Sequence, residues 1–79
     1  MDRDMEFSFT VLRDGVEIVE NGTVDEFDNG ISQPDVWDVI FAVQDKCNKA
    51  GNALTCIDID GSSYFFDTHD NEEVLVAVS

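Results

Sequence analysis

The chain has 79 residues, enough for one domain and no more. Eighteen Asp and Glu face four Lys and Arg, and the resulting net charge of -14 repels nucleic acid and anionic membranes while attracting basic surfaces. Hydrophobic residues make up 43% of the chain and recur in every segment from residue 5 onward, which excludes a chain left disordered by its composition.

Residues 5–12 alternate, with Met5, Phe7, Phe9 and Val11 on one face and Glu6, Ser8 and Thr10 on the other, the period of a half-buried strand. Asp14-Gly15 then predicts a two-residue hairpin turn, because a type I′ turn needs positive φ at both central positions. Val16 to Glu20 is the return strand, with Val11 opposite Ile18 and both directed at the core. Residues 21–32 are acidic and rich in turn formers, and predict a loop with at most a short extended stretch at Thr23-Val24. A helix is predicted over about 33–50, with Ser32 as N-cap, Pro34 in the first turn and Asp35 completing a Ser-x-x-Asp pattern. Its core stripe is Val36, Ile40, Val43, Cys47 and Ala50, flanked by Trp37 and Phe41, and Gly51 is the expected terminator. Ala53 to Ile59 and Ser63 to Asp67 form a second hairpin about Asp60-Gly61, with Tyr64-Phe65-Phe66 covered on more than one side. Thr68 to Glu73 is an acidic turn and Val74 to Val78 a last, apolar strand. The order β-β-α-β-β-β makes residues 1–79 a single acidic α+β domain, an antiparallel sheet with one helix on one face.

No apolar run approaches the roughly 20 residues of a membrane span. Met1-Asp2-Arg3-Asp4 lacks the basic and apolar regions of a signal peptide, so the expected location is the cytoplasm. Cys47 and Cys56 are then expected to be reduced and mostly buried.

Motifs for chemistry are sparse. The one histidine, His69, falls in a predicted turn with no nucleophile or orienting partner set beside it, and neither cysteine belongs to a CxxC pair. Asp58-Ile59-Asp60-Gly61 and Asp28-Asn29-Gly30 look like pieces of a calcium loop. A calcium loop of the EF-hand type needs ligands at positions one, three and five, Gly at six and Glu at twelve. Counting from Asp58 puts Gly at four, and counting from Asp25 puts Phe27 at three and Val36 at twelve. The expectation is therefore a protein that is not an enzyme, with no catalytic residue, no metal and no cofactor.

The carboxylates themselves carry the pattern. Asp14 to Asp45 holds nine acids and no Lys or Arg, and Ala50 to the end holds six more with none. Acids held on strands and on a helix are spaced roughly 5–7 Å apart, in regular rows. Each DNA strand presents a charge about every 3.4 Å, so a fixed acidic row can act as a decoy for a site that grips a phosphate backbone. The candidate contact residues are Asp25, Glu26 and Asp28 before the helix, Asp35, Asp38 and Asp45 on it, and Asp70, Glu72 and Glu73 in the last turn. Trp37 is a candidate apolar anchor among them, with filling of the core rim as its alternative role.

In size, charge and element order the whole chain resembles the small acidic phage-encoded inhibitors of host defence, the anti-CRISPR and anti-restriction proteins, several of which act as DNA mimics. The resemblance rests on no diagnostic motif and transfers no residue's role. It implies a partner: a basic DNA-binding protein or a CRISPR effector subunit, with the surface that reads the PAM as a target, reached in the host cytoplasm. Direct binding to nucleic acid or membrane is not expected. Two other readings fit the composition. One is an acidic adaptor or small subunit of a basic protein. The other is a halophilic domain, which twelve Asp against six Glu and scarce Lys would suit.

Overall fold

The computed structural model describes residues 1–79. Five antiparallel strands form one sheet in the order β2-β1-β3-β4-β5: β1 Glu6–Arg13, β2 Val16–Thr23, β3 Ala53–Ile59, β4 Ser62–His69 and β5 Glu72–Val78. A single helix, α1 (Val36–Lys49), packs chiefly on β3 and leaves the other face of the sheet bare. The expected α+β architecture is thus the observed one. Val11 lies opposite Ile18, as the first hairpin turn dictates.

Three tight turns join neighbouring strands: Asp14-Gly15, Asp60-Gly61 and Asp70-Asn71. Both residues of each have positive φ, the conformation that matches the twist of a hairpin. The core has thirteen apolar residues, including Phe7, Phe9 and Val11 from β1, Leu54, Ile57 and Ile59 from β3, and Val39, Ile40, Val43 and Cys47 from α1.

Residues 21–32 are not a loop throughout. β2 continues through Asn21-Gly22 to Thr23, and a 3-10 helix, Val24–Phe27, follows. Gly22 serves close packing here and not a turn, because a Cβ at that position would stand 2.8 Å from the Phe27 ring and 3.2 Å from that of Phe7. Val24 and Phe27 are thereby driven into the core. Phe27 meets Phe7 and Phe9 edge-on, with ring centroids 5.6 and 6.0 Å apart.

The helix starts later than its apolar period implies. Asp35, not Ser32, is the N-cap: its carboxylate accepts the Asp38 N–H at 2.9 Å, and Asp38 accepts the Asp35 N–H at 2.9 Å. Pro34 is the cause, since a proline disfavours helical backbone at the residue before it, which is Gln33. Pro34 therefore lies outside the first turn and is buried. At the other end Asn52 N–H bonds to Cys47 C=O and Gly51 N–H to Asn48 C=O, a Schellman closure with Gly51 at φ 79°. Ala50 becomes the exposed C-cap and leaves the core stripe, whereas Val39, outside the predicted stripe, is fully buried.

Beyond the helix, Tyr64 is half-buried and Phe66 buried on the helix side, but Phe65 points to the bare face and is exposed. Both thiols are free; Cys47 is buried, while Cys56 lies on the bare face and is only half-buried. Burial pushes the Cys47 thiol up to about 11 and raises that of Cys56 as well, helped there by Asp58. No helix is long and apolar enough to cross a membrane.

Candidate functional site

The 3-10 helix and the turn after it lie along one flank of α1. Two devices hold that segment. Val24 and Asp25 N–H bond to the carbonyls of Met5 and Arg3, at 3.0 and 2.9 Å. The Asp28–Ile31 turn closes through Ile31 N–H to Asp28 C=O. Between this segment and the outer side of the helix runs an open groove of about 410 Å³, lined by Glu26, Ile31, Asp38, Phe41 and Asp45, with Lys46 at its rim. Phe41 is 61% exposed and Ile31 also faces water, so the groove pairs carboxylates with uncovered apolar surface.

The structure sorts the nine predicted acids into different roles. Glu26, Asp38 and Asp45 come together in the groove. Glu26 is fixed by accepting from the backbone N–H and hydroxyl of Thr23, both at 3.0 Å, which caps the 3-10 helix. Asp35 and Asp38 hold each other through the reciprocal capping bonds at the start of α1. Asp45 is exposed and pairs with Lys49 one turn on, at 2.9 Å. Asp25 lies 3.3 Å from Arg3, and Asp28 is bonded to the same guanidinium. Asp28 also accepts the Gly30 N–H, which with Arg3 holds its carboxyl below the usual range despite partial desolvation.

The third group does not join them. Asp70 is the first residue of the β4–β5 turn, and Glu72 stands exposed beside it. Glu73 is turned inward: one carboxylate oxygen accepts the Leu54 N–H at 3.3 Å, and the other is buried with no partner. Burial raises its pKa against the opposing effects of the Leu54 N–H and the Gln44 side chain. Glu73 is therefore a structural carboxylate that caps the end of β3 where β4 has diverged from it, and not a surface contact.

Trp37 lies on the opposite flank of α1 from the groove floor, 38% exposed. Its ring meets Phe41 at 5.9 Å and Tyr64 at 5.6 Å. One side of the ring fills the core rim and the other faces water. Two contributors escaped the sequence reading. Arg3 organises Asp25 and Asp28 from 22 and 25 residues away, a pairing that no local spacing signals. Lys46 lies 4.8 Å over the Phe27 ring, a contact that no local spacing signals. No group of three or more His, Cys, Asp or Glu side chains is placed to share a metal ion. No protein-family model, curated protein or solved structure matches the chain.

Proposed function

We propose that this protein is an acidic inhibitor that occupies the DNA-binding surface of a basic effector, such as a CRISPR effector complex at the surface where it reads the PAM, and so blocks DNA. It acts by occupancy and performs no reaction. The observation that carries this reading is charge density. The molecule extends 33 × 26 × 21 Å and bears a net charge of -14. A DNA duplex as long as its longest axis carries roughly 19 phosphates, one per about 1.7 Å. The protein thus approaches the charge of the duplex it would displace.

Rigidity adds to the case. Glu26, Asp35 and Asp38 are fixed by their own capping bonds, so a partner's Lys and Arg meet acids that are already oriented, with less entropy to lose on binding. Phe41 and the open edge of Trp37 supply apolar anchors next to those charges, which charge alone does not provide.

Salt separates this reading from a halophilic domain. The inhibitor is expected to stay folded at low ionic strength, by circular dichroism, and to bind its captured partner most tightly there. Unfolding at low salt that is reversed by added salt would assign the acid excess to solvation instead.

A further inference from the structure

The two edges of the sheet are built differently. β2 carries Glu17 and Glu20 along its length, the usual guard against pairing with another strand. β5 carries none beyond its first two residues: no side chain from Val74 to Ser79 is charged, in a chain of net charge -14. Its apolar side chains are uncovered, with Val74 43%, Val76 60% and Val78 53% exposed. The backbone edge is open too. Ser63 and Ser79 exchange both their backbone bonds, at 2.7 and 2.9 Å, so by antiparallel alternation Val78 turns its N–H and C=O away from β4. Counting from the Asp70-Asn71 turn, Glu73 and Leu75 do the same. Val76 is the extra residue of a bulge, opposite the step from Phe65 to Phe66.

We infer that β5 is a self-association edge, pairing antiparallel with β5 of a second copy of this chain about a twofold axis. One register sets the open backbone groups of Glu73 and Val78 against each other and matches the faces of Val74 and Ala77. It sets Glu73 against Val78 of the second copy, Val74 against Ala77, and Leu75 against Val76, so that the two bulges meet at the centre. Apolar side chains then face apolar ones except where Val78 meets Glu73, the only acid in the register, whose side chain is spent on the Leu54 amide. Glu72 falls at the end of the ladder, in water, where its charge is best screened.

Charge selects this occupant. A basic partner would be drawn to the carboxylates around α1, whereas an uncharged valine-rich edge offers it nothing to recognise. The same edge on a second copy is complementary, and it is the stretch where two copies of net charge -14 can meet without setting rows of carboxylates together. A stable interface buries about 800 Å² per partner, against 4985 Å² of total surface. One strand supplies only part of that, so the dimer forms in a concentration-dependent way, with Tyr64, beside Val78, extending the contact on the helix side. This inference stands independently of the DNA-mimic reading.

The test is sedimentation of the full chain across a wide concentration range, at low and high salt. The mass should rise from 8.8 kDa towards twice that value, and salt should promote the rise, because screening over about 8 Å at physiological ionic strength relieves repulsion between the copies. Salt would weaken binding to a basic partner, so the two proposals fail in distinguishable ways. Val78→Pro removes an N–H that β4 does not use and should weaken dimerisation roughly tenfold or more, with the monomer's circular dichroism unchanged. Val76→Lys should do likewise. In the wild type, amide exchange at Leu75 and Val78 should slow as concentration rises, a readout that needs no variant. A chain that stays monomeric at high concentration and high salt overturns the proposal. So does a dimer that both variants leave intact, or one that leaves the Leu75 and Val78 amides unprotected.

Discussion

The two faces of the sheet handle charge differently. On the helix side most acids are engaged, with Glu20 the exception: Asp28 by Arg3 and Gly30, Glu26 by Thr23, Asp35 and Asp38 by each other, Asp45 by Lys49. On the bare side Asp58 accepts from the Ser8 and Ser63 hydroxyls and Asp67 from the Thr68 N–H, whereas Glu6 and Glu17 make no hydrogen bond or ion pair and flank an uncharged cross-strand row of Val19, Thr10, Cys56, Phe65 and Ala77. Net charge treats these carboxylates alike, but their mechanics differ. An engaged carboxylate keeps its charge and loses its freedom, so the acids around the helix form the more continuous fixed pattern, while Glu6 and Glu17 at the margins of the bare side are free to move. The proposed decoy for a phosphate backbone would need the fixed kind, and it is the helix side that offers it.

The harshest way to break that comparison is to remove the platform beneath the fixed acids. Ile40 is completely buried under the helix. Ile40→Asp leaves an unpaired charge in the core at a cost of several kcal/mol, comparable to the whole stability of a small domain. Loss of cooperative thermal melting is the expected result, and a retained transition would show that this stripe is not core. Phe27→Ala is aimed at the 3-10 helix alone. Deleting a buried Phe costs about 3–5 kcal/mol, and the groove should loosen with it, which faster amide exchange at Glu26 to Asp28 would report.

Charge reversal sharpens the comparison without touching the core. Asp45→Lys keeps both capping boxes and should weaken partner binding roughly tenfold at unchanged melting temperature. Glu17→Lys, on the bare side, should change it far less. Equal losses from the two would mean that total charge matters and its placement does not.

Glu73 gives the smallest effect and the clearest sign. Its folded pKa is raised, so between its ordinary value and the raised one the folded state holds the proton more tightly than the unfolded state does. Its ionisation therefore lowers stability as pH rises through that window. Glu73→Gln keeps an acceptor for the Leu54 N–H and removes the charge. The variant should melt higher than wild type at neutral pH, and the gap should close as pH falls to the ordinary carboxylate value. A gap that persists in acid would mean that the carboxylate's charge is not the cause.

Where the chain's local chemistry was sufficient, the fold was legible in the sequence. Alternation in residues 5–12, the two Asp-Gly turns and the three-and-four spacing of Val36, Ile40, Val43 and Cys47 each reported a local preference that the tertiary structure kept. The failures came where a distant partner decided. Asn21-Gly22 reads as a turn, but the Phe27 ring needs the missing Cβ. Ser32 reads as a cap, but Pro34 bars the backbone before it from the helix and passes the role to Asp35. Among the acids, sequence could place Glu26, Asp38 and Asp45 near one another through the helix and its approach. It could not show that Glu73 turns inward, because the amide it caps belongs to a strand 19 residues away.

Competition with DNA tests the central claim most directly. The effector captured on this protein is preloaded with duplex DNA and then offered the protein, and the order is afterwards reversed. Mutual exclusion in both orders, relieved as Asp45→Lys replaces the wild type, is the result this account predicts. A ternary complex holding effector, DNA and protein together would contradict it and leave the acidic surface with the role of an adaptor.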